Sequence, residues 1–242
     1  MLPVSRFRAT PLDLHRIQAI CFDIDGTLSD TDDILVARLA RWLQPLAWLP
    51  LTPAPERLAR RLVMASETPL NELYAATDRL GLDAPLLKLA RALRAFLPAR
   101  QPAYRLVPGV HEMLAALAPH YRLAVVSARP RPSTLGFLEH FGLTPYFQNC
   151  IATAETCERT KPDPAPLRWA AHCLGVPPEA CLMVGDTTVD IRAGRAAGAQ
   201  TVGVLCGFGE EAELRRAGAN LILPTTADLA AALLSPPEAP AK

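Results

Sequence analysis

Ile20-Cys21-Phe22-Asp23-Ile24-Asp25-Gly26-Thr27-Leu28 decides how this chain is read. An apolar run enters the stretch, and two aspartates stand one residue apart at its exit. The chain then turns polar at Ser29-Asp30-Thr31-Asp32-Asp33. The run predicts a buried strand ending in a turn. Residues i and i+2 of a strand share a face, so the two carboxylates start on the same side. Like charges ~4 Å apart repel by about 4 kcal/mol at an effective dielectric of 20. A cation, a lysine or a raised pKa has to compensate. Taken alone, the stretch also permits a strand followed by an Asx-rich turn.

Outward from this stretch, the first strand is expected over 17–23. From Thr31 to about Leu106 the texture is helical. Apolar residues recur at Leu35, Leu39 and Leu43, and again at Leu86, Leu89, Leu93 and Leu97, with Pro45, Pro50, Pro53 and Pro55 breaking the chain between them. Four short amphipathic helices would make a small domain inserted after the first strand. Beyond Pro108-Gly109, strands at 122–127, 148–152, 181–184, 200–205 and 220–223 alternate with helices at 110–119, 132–142, 164–174, 188–198, 210–217 and 226–234. In the helix at 188–198, Gly194 and Gly198 are small residues expected to allow close approach to a sheet.

That alternation predicts an α/β protein with a Rossmann-like, doubly wound parallel sheet and an inserted helical cap. The expected boundaries are an N-terminal extension over 1–16, an α/β core over 17–31 and 107–234, a cap over 32–106, and a disordered tail over 235–242.

With 242 residues, half of them hydrophobic, a sizeable core is available. The net charge of +1 offers no global field for nucleic acid or an acidic membrane. Lys88, Arg91 and Arg94 on one helix face are expected to be a solvated face, with a nucleic-acid patch as the alternative. No run reaches the roughly 18 apolar residues of a membrane span. The six cysteines form no C-x-x-C pair. Reduced, buried thiols and a cytoplasmic location are the expectation.

In doubly wound sheets ligands bind outside the carboxyl ends of the strands, so the residues just past each strand are the candidates for the site. The first strand ends in Asp23-Ile-Asp25-Gly-Thr27. The strand at 122–127 ends in Ser127-Ala128-Arg129, and the strand at 181–184 in Gly185-Asp186-x-x-x-Asp190. Thr160-Lys161-Pro162-Asp163-Pro164 stands just ahead of a helix. Lys161 is notable because this chain carries its positive charge on arginine almost throughout. Carboxylates without histidine or cysteine suit Mg²⁺. Carboxylates, hydroxyls and one ammonium together read as a phosphoryl-transfer site.

These residues resemble the four motifs of the haloacid dehalogenase superfamily, taken in order. Asp23-Ile-Asp25-Gly-Thr27-Leu28 looks like the first, Ser127 the second, Lys161 the third and Gly185-Asp186-x-x-x-Asp190 the fourth. The segment from Val204 to Ala219 looks similar to the phosphoglycolate phosphatase-like subgroup. The resemblance implies a Mg²⁺-dependent phosphatase acting on a small phosphorylated metabolite through an aspartyl-phosphate. Asp23 would be the nucleophile and Asp25 the general acid and base. Thr27, Ser127, Ala128 and Lys161 would serve the phosphate, with Thr27 also tying down the turn. Mg²⁺ would be held by Asp23, the Asp25 carbonyl and Asp186, and Asp190 would orient Lys161 or a metal-bound water. Arg129 departs from the pattern and would touch a substrate anion or face solvent. Arg57, Arg60, Arg61, Asn71 and Tyr74 are the candidate cap contacts. A phosphomutase or an inorganic pyrophosphatase is the alternative, a non-catalytic binding protein on this fold a more distant one. No nucleic-acid or membrane partner is expected, and the state would be monomer or homodimer.

Overall fold

The computed structural model describes residues 11–30, 104–147 and 149–234. The chain separates into two compact units, Met1–Asp32 with Tyr104–Lys242, and Asp33–Ala103. The expected cap helices and their candidate contacts, the start of the N-terminal extension and the tail lie outside the described residues.

Six strands make one parallel sheet. They are β1 (Ala19–Phe22), β2 (Arg122–Val126), β3 (Ile151–Ala152), β4 (Cys181–Gly185), β5 (Gln200–Val204) and β6 (Leu221–Leu223), in the order β3-β2-β1-β4-β5-β6. The helices are α1 (Val110–Leu117), α2 (Arg131–His140), α3 (Ala165–Leu174), α4 (Thr188–Ala197), α5 (Glu211–Ala217) and α6 (Leu229–Leu234). Strand order reverses between β1 and β4, which is where a doubly wound sheet opens its crevice.

β1 and β4 are continuous apolar runs because both faces of the sheet are covered. Ile20 and Phe22 of β1 join a core with Leu114 and Leu117 of α1, Phe137 of α2 and Leu229 of α6. Ala19 and Cys21 point the other way, into a core with Leu167, Ala170 and Leu174 of α3. The period of two thus distributes one four-residue strand between two layers of helix.

Gly194 behaves as expected. A β-carbon there would stand 2.5 Å from Thr201 Cγ2 and 2.9 Å from Met183 Cβ, so α4 rests directly on β4 and β5. Gly198 has a different job: it ends α4 in the left-handed conformation, φ 86°.

The expectation of reduced thiols is corrected at one place. Cys150, just ahead of β3, forms a disulfide with Cys173 in the last turn of α3. The two meet because α3 packs across β2 and β3, so that their α-carbons stand 5.8 Å apart. Cys21, Cys157, Cys181 and Cys206 are thiols.

The described residues on either side of the insertion, up to Asp30 and from Tyr104, lie side by side. The Asp30 N–H donates to Arg105 O at 2.9 Å, the Val107 N–H donates to Leu28 O at 2.9 Å, and Ser29 bridges Leu106. Leu106, assigned to the insertion from the sequence, therefore pairs with the core. Among the described residues no helix is long and apolar enough to cross a membrane.

Candidate active site

Asp23 is the first residue beyond β1. Its N–H still pairs with the sheet, donating to Val184 O at 3.0 Å, and it is only 8% exposed. The chain then folds over Ile24, whose carbonyl accepts from the N–H groups of Thr27, Leu28 and Ser29 at 3.2, 2.9 and 2.8 Å. Gly26 makes this turn possible at φ 70°. The turn separates the paired aspartates: Asp23 stays in the crevice, whereas the Asp25 side chain reaches its rim, 35% exposed.

Lys161 supplies the compensation at Asp23, the buried member of the exit pair. Its Nζ lies 2.7 Å from Asp23 Oδ1 and 2.6 Å from Asp190 Oδ1, and it is 5% exposed. Burial by itself would push this ammonium down. The carboxylates of Asp190 and Asp23 outweigh that and hold it above its ordinary value. Asp190 is fixed in turn as half of a capping box on α4, its Oδ2 accepting from the Thr187 N–H at 3.1 Å and the Thr187 hydroxyl at 2.8 Å. Burial pushes the Asp23 carboxyl up to about 7, with the Asp190 and Asp25 charges adding to the shift and Lys161 opposing it.

Asp186 lies just past β4 and is fully buried. The Thr27 hydroxyl donates to its Oδ1 at 3.3 Å, so this hydroxyl is directed at a carboxylate. The Phe208 N–H donates to its Oδ2 at 2.8 Å. Gly207-Phe208-Gly209 wraps around Asp186 so closely that a β-carbon at Gly207 would lie 2.2 Å from Asp186 Oδ2. The sequence reading missed this contact, and the signal for it was the pair of glycines after β5. Gly207→Ala is expected to push Asp186 out of place and lower unfolding stability by about 1–3 kcal/mol, read from urea denaturation.

Ser127 stands just past β2, 5% exposed, with its N–H on Ala152 O at 3.0 Å. The backbone N–H of Arg129 donates to Ser127 Oγ at 3.1 Å. The Arg129 side chain turns to the other sequence-predicted aspartate. Its Nε donates to Asp25 Oδ2 at 2.6 Å and its Nη2 to Asp25 Oδ1, with Ser29 Oγ 3.5 Å from the same nitrogen. The guanidinium carbon lies 5.4 Å from the centre of the Phe137 ring. Arg129 therefore does not simply face solvent: a carboxylate of the protein itself engages its fork.

Carboxylate oxygens of Asp23, Asp186 and Asp190 all lie within 4.8 Å of one another. Four carboxylates (Asp23, Asp25, Asp186, Asp190) face two cationic side chains (Lys161, Arg129). Carboxylate oxygens with no histidine or cysteine among them make an all-oxygen donor set that fits one hard divalent cation. Asp190 is committed to Lys161 and to its cap, which leaves Asp23 and Asp186 as the side chains placed to bind it.

Residues 20–204 match the family described as haloacid dehalogenase-like hydrolases. The chain belongs to this family. It is 32% identical over 215 residues to a phosphoglycolate phosphatase from Nitrosospira multiformis, covering 86% of this chain and 92% of the relative. It is 31% identical over 197 residues to the pyrophosphatase PpaX from Anoxybacillus flavithermus, covering 78% and 83%. A HAD family hydrolase from Deinococcus radiodurans, solved with bound phosphate and sodium, superposes with a TM-score of 0.63 at 26% identity, covering 90% of this chain and 95% of that one. As a haloacid dehalogenase-like hydrolase, this chain has Asp23, Ser127 and Asp186 just past the ends of β1, β2 and β4, three strands that are neighbours in the sheet.

Proposed function

We propose that this phosphohydrolase is Mg²⁺-dependent and cleaves a small, phosphoglycolate-like phosphate monoester through an aspartyl-phosphate on Asp23. The observation that carries this reading is the buried line Asp190–Lys161–Asp23 beside Asp186, with Ser127 at the end of the neighbouring strand. Action as a monomer or homodimer in the cytoplasm belongs to the same proposal.

Asp23 attacks phosphorus: an Asp23 O–P bond forms and the ester O–P bond breaks. Asp25 gives its proton to the departing alkoxide, then takes one from the water that attacks the acyl phosphate. That second displacement breaks the Asp23 O–P bond and releases inorganic phosphate. Lys161 keeps its charge beside Asp23 throughout, and Ser127 with the Ala128 N–H holds phosphoryl oxygens. Mg²⁺, held by Asp23, the Asp25 carbonyl and Asp186, would neutralise charge developing on the phosphoryl group. The 31% identical pyrophosphatase makes inorganic pyrophosphate the second reading.

The test is phosphate release from phosphoglycolate, sugar phosphates and pyrophosphate, with Mg²⁺ and with chelator. Turnover of phosphoglycolate that stops with chelator is the expected result. Turnover indifferent to chelator would overturn the metal assignment, and turnover of pyrophosphate alone would select the second reading. Cation binding should also release a proton, because a carboxyl raised to about 7 must ionise to become a ligand. Mg²⁺ affinity measured by calorimetry is therefore expected to rise about tenfold per pH unit below pH 7 and to level off above it.

A further inference from the structure

The acid/base assignment for Asp25 carries a geometric difficulty. Both of its carboxylate oxygens already accept from Arg129, one from Nε at 2.6 Å and the other from Nη2. A bidentate fork is the strongest and most directional way an arginine engages a carboxylate. Each oxygen keeps a second lone pair, but the fork fixes the carboxylate's orientation, so it can swing toward an ester oxygen or an attacking water only by opening the fork. The fork is not a loose surface contact, because the Arg129 side chain is only 11% exposed. It is braced by the Phe137 ring and sits next to Ser29, while its own N–H is tied to Ser127.

Asp25 is the more exposed partner, on the rim of the crevice. The fork is thus a carboxylate-binding site, one residue from the phosphate pocket, whose present occupant belongs to the protein. A ligand carrying its own anion can take that occupant's place.

We infer that Arg129 is a latch on Asp25. It holds the acid/base carboxylate out of action until a second anionic group of the substrate, a carboxylate close to the ester, takes over its fork. Arg129 is then a positioning residue for turnover and selects esters bearing a second anion. This inference rests on the phosphatase reading above and narrows its substrate class. It differs from plain substrate binding in one respect: removing the arginine must help substrates that have no second anion, because Asp25 is no longer held.

The test compares phosphoglycolate with ethyl phosphate, which matches it in carbon count and lacks the carboxylate, in wild-type enzyme, Arg129→Gln and Arg129→Lys with Mg²⁺ present. In Arg129→Gln, kcat/KM for phosphoglycolate is expected to fall at least about tenfold, the scale of one lost charge-assisted contact. The kcat for ethyl phosphate is expected to rise roughly threefold or more, the scale of a half-exposed ion pair. Arg129→Lys, which retains the charge without the fork, should give the same pattern at smaller size, and it carries the test if the glutamine variant fails to fold. Loss of phosphoglycolate turnover with ethyl phosphate unchanged would overturn the latch in favour of simple binding. Equal losses on both esters would overturn it in favour of a packing role.

A second readout needs no turnover. The Arg129 Nε–H NMR signal, assigned by its loss in Arg129→Lys, should be protected from exchange in wild-type protein, and its shift and protection should change when phosphonoacetate is added. An unprotected signal, or a protected one indifferent to phosphonoacetate, would overturn the latch. If the wild-type enzyme hydrolyses no ester while the signal responds as expected, the phosphatase reading and the acid/base role of Asp25 fail, and only the exchange of Asp25 for a ligand anion at the fork stands.

Discussion

Asp23→Asn is expected to lower kcat on any phosphate ester by at least ~1,000-fold, because a side-chain amide cannot take the nucleophilic role proposed for Asp23. The same substitution should leave the fold as stable as wild type or make it more so. Burial has raised the Asp23 carboxyl from its ordinary 3.8 to about 7, so the folded state resists its ionisation. Linkage sets the sign. Well below pH 4 the group is neutral in folded and unfolded chains and has no effect. As pH rises from about 4 to 7, the unfolded chain ionises first and the folded chain loses stability relative to it. Asparagine removes that loss while retaining an acceptor for Lys161. The stability difference between variant and wild type should therefore be near zero well below pH 4, grow through pH 7 to on the order of a few kcal/mol, and then stay level. Urea unfolding without divalent cation, as a function of pH, measures it. An Asp23→Asn enzyme retaining most of its activity, or a stability difference that shrinks with pH, would overturn the assignment.

Lys161→Met should do the opposite to stability. It leaves the buried carboxylates of Asp23 and Asp190 facing each other with no cation between them. Breaking a buried ion pair from one side costs about 3–5 kcal/mol, since the remaining charge stays desolvated. Acid should reduce that cost, because protonating the carboxylates removes the repulsion. The double variant with Asp23→Asn should recover part of the loss, giving a coupling of about 0.5–3 kcal/mol in a double-mutant cycle. Additivity within error would mean that Lys161 and Asp23 do not act as a unit. Activity is expected to fall with Lys161→Met as well, but the stability cycle is the sharper measurement, because it isolates the contact.

Much of the sheet was legible because β1 and β4 are apolar runs between turn residues, and parallel strands covered on both faces read that way. The candidate site came from a topological rule: look beyond each strand end. That rule singles out Asp23, Ser127 and Asp186 without any contact being known. Partners distant in sequence were beyond its reach. Asp25 and Arg129 are separated by 104 residues, and no local pattern says that a guanidinium will occupy both oxygens of that carboxylate. The Cys150–Cys173 bond depends on α3 crossing β3, not on the spacing of the cysteines. Gly194 and Gly198 looked alike in the sequence, yet one makes room for a sheet and the other ends a helix. β3 shrank from the expected 148–152 to two residues, an edge segment with a neighbour on one side only.

The hydroxyl of Thr226 donates to the carbonyl of Thr27 at 2.6 Å, inside the protein. That bond ties the turn after β1 to a residue 199 positions later. β1 is made first during synthesis but lies in the middle of the sheet, so it waits for β2 on one side and β4 on the other. At about 5–20 residues per second, the ribosome needs roughly 10–40 s to travel from Thr27 to Thr226. Throughout that interval the Asp23–Asp25 turn is without its last tether, and until Arg129 and Lys161 emerge its carboxylates lack their partners. A nascent chain therefore carries a catalytic sequence long before it carries a catalyst, and a polypeptide ending short of Thr226 would keep every motif residue while leaving the turn that holds two of them untied.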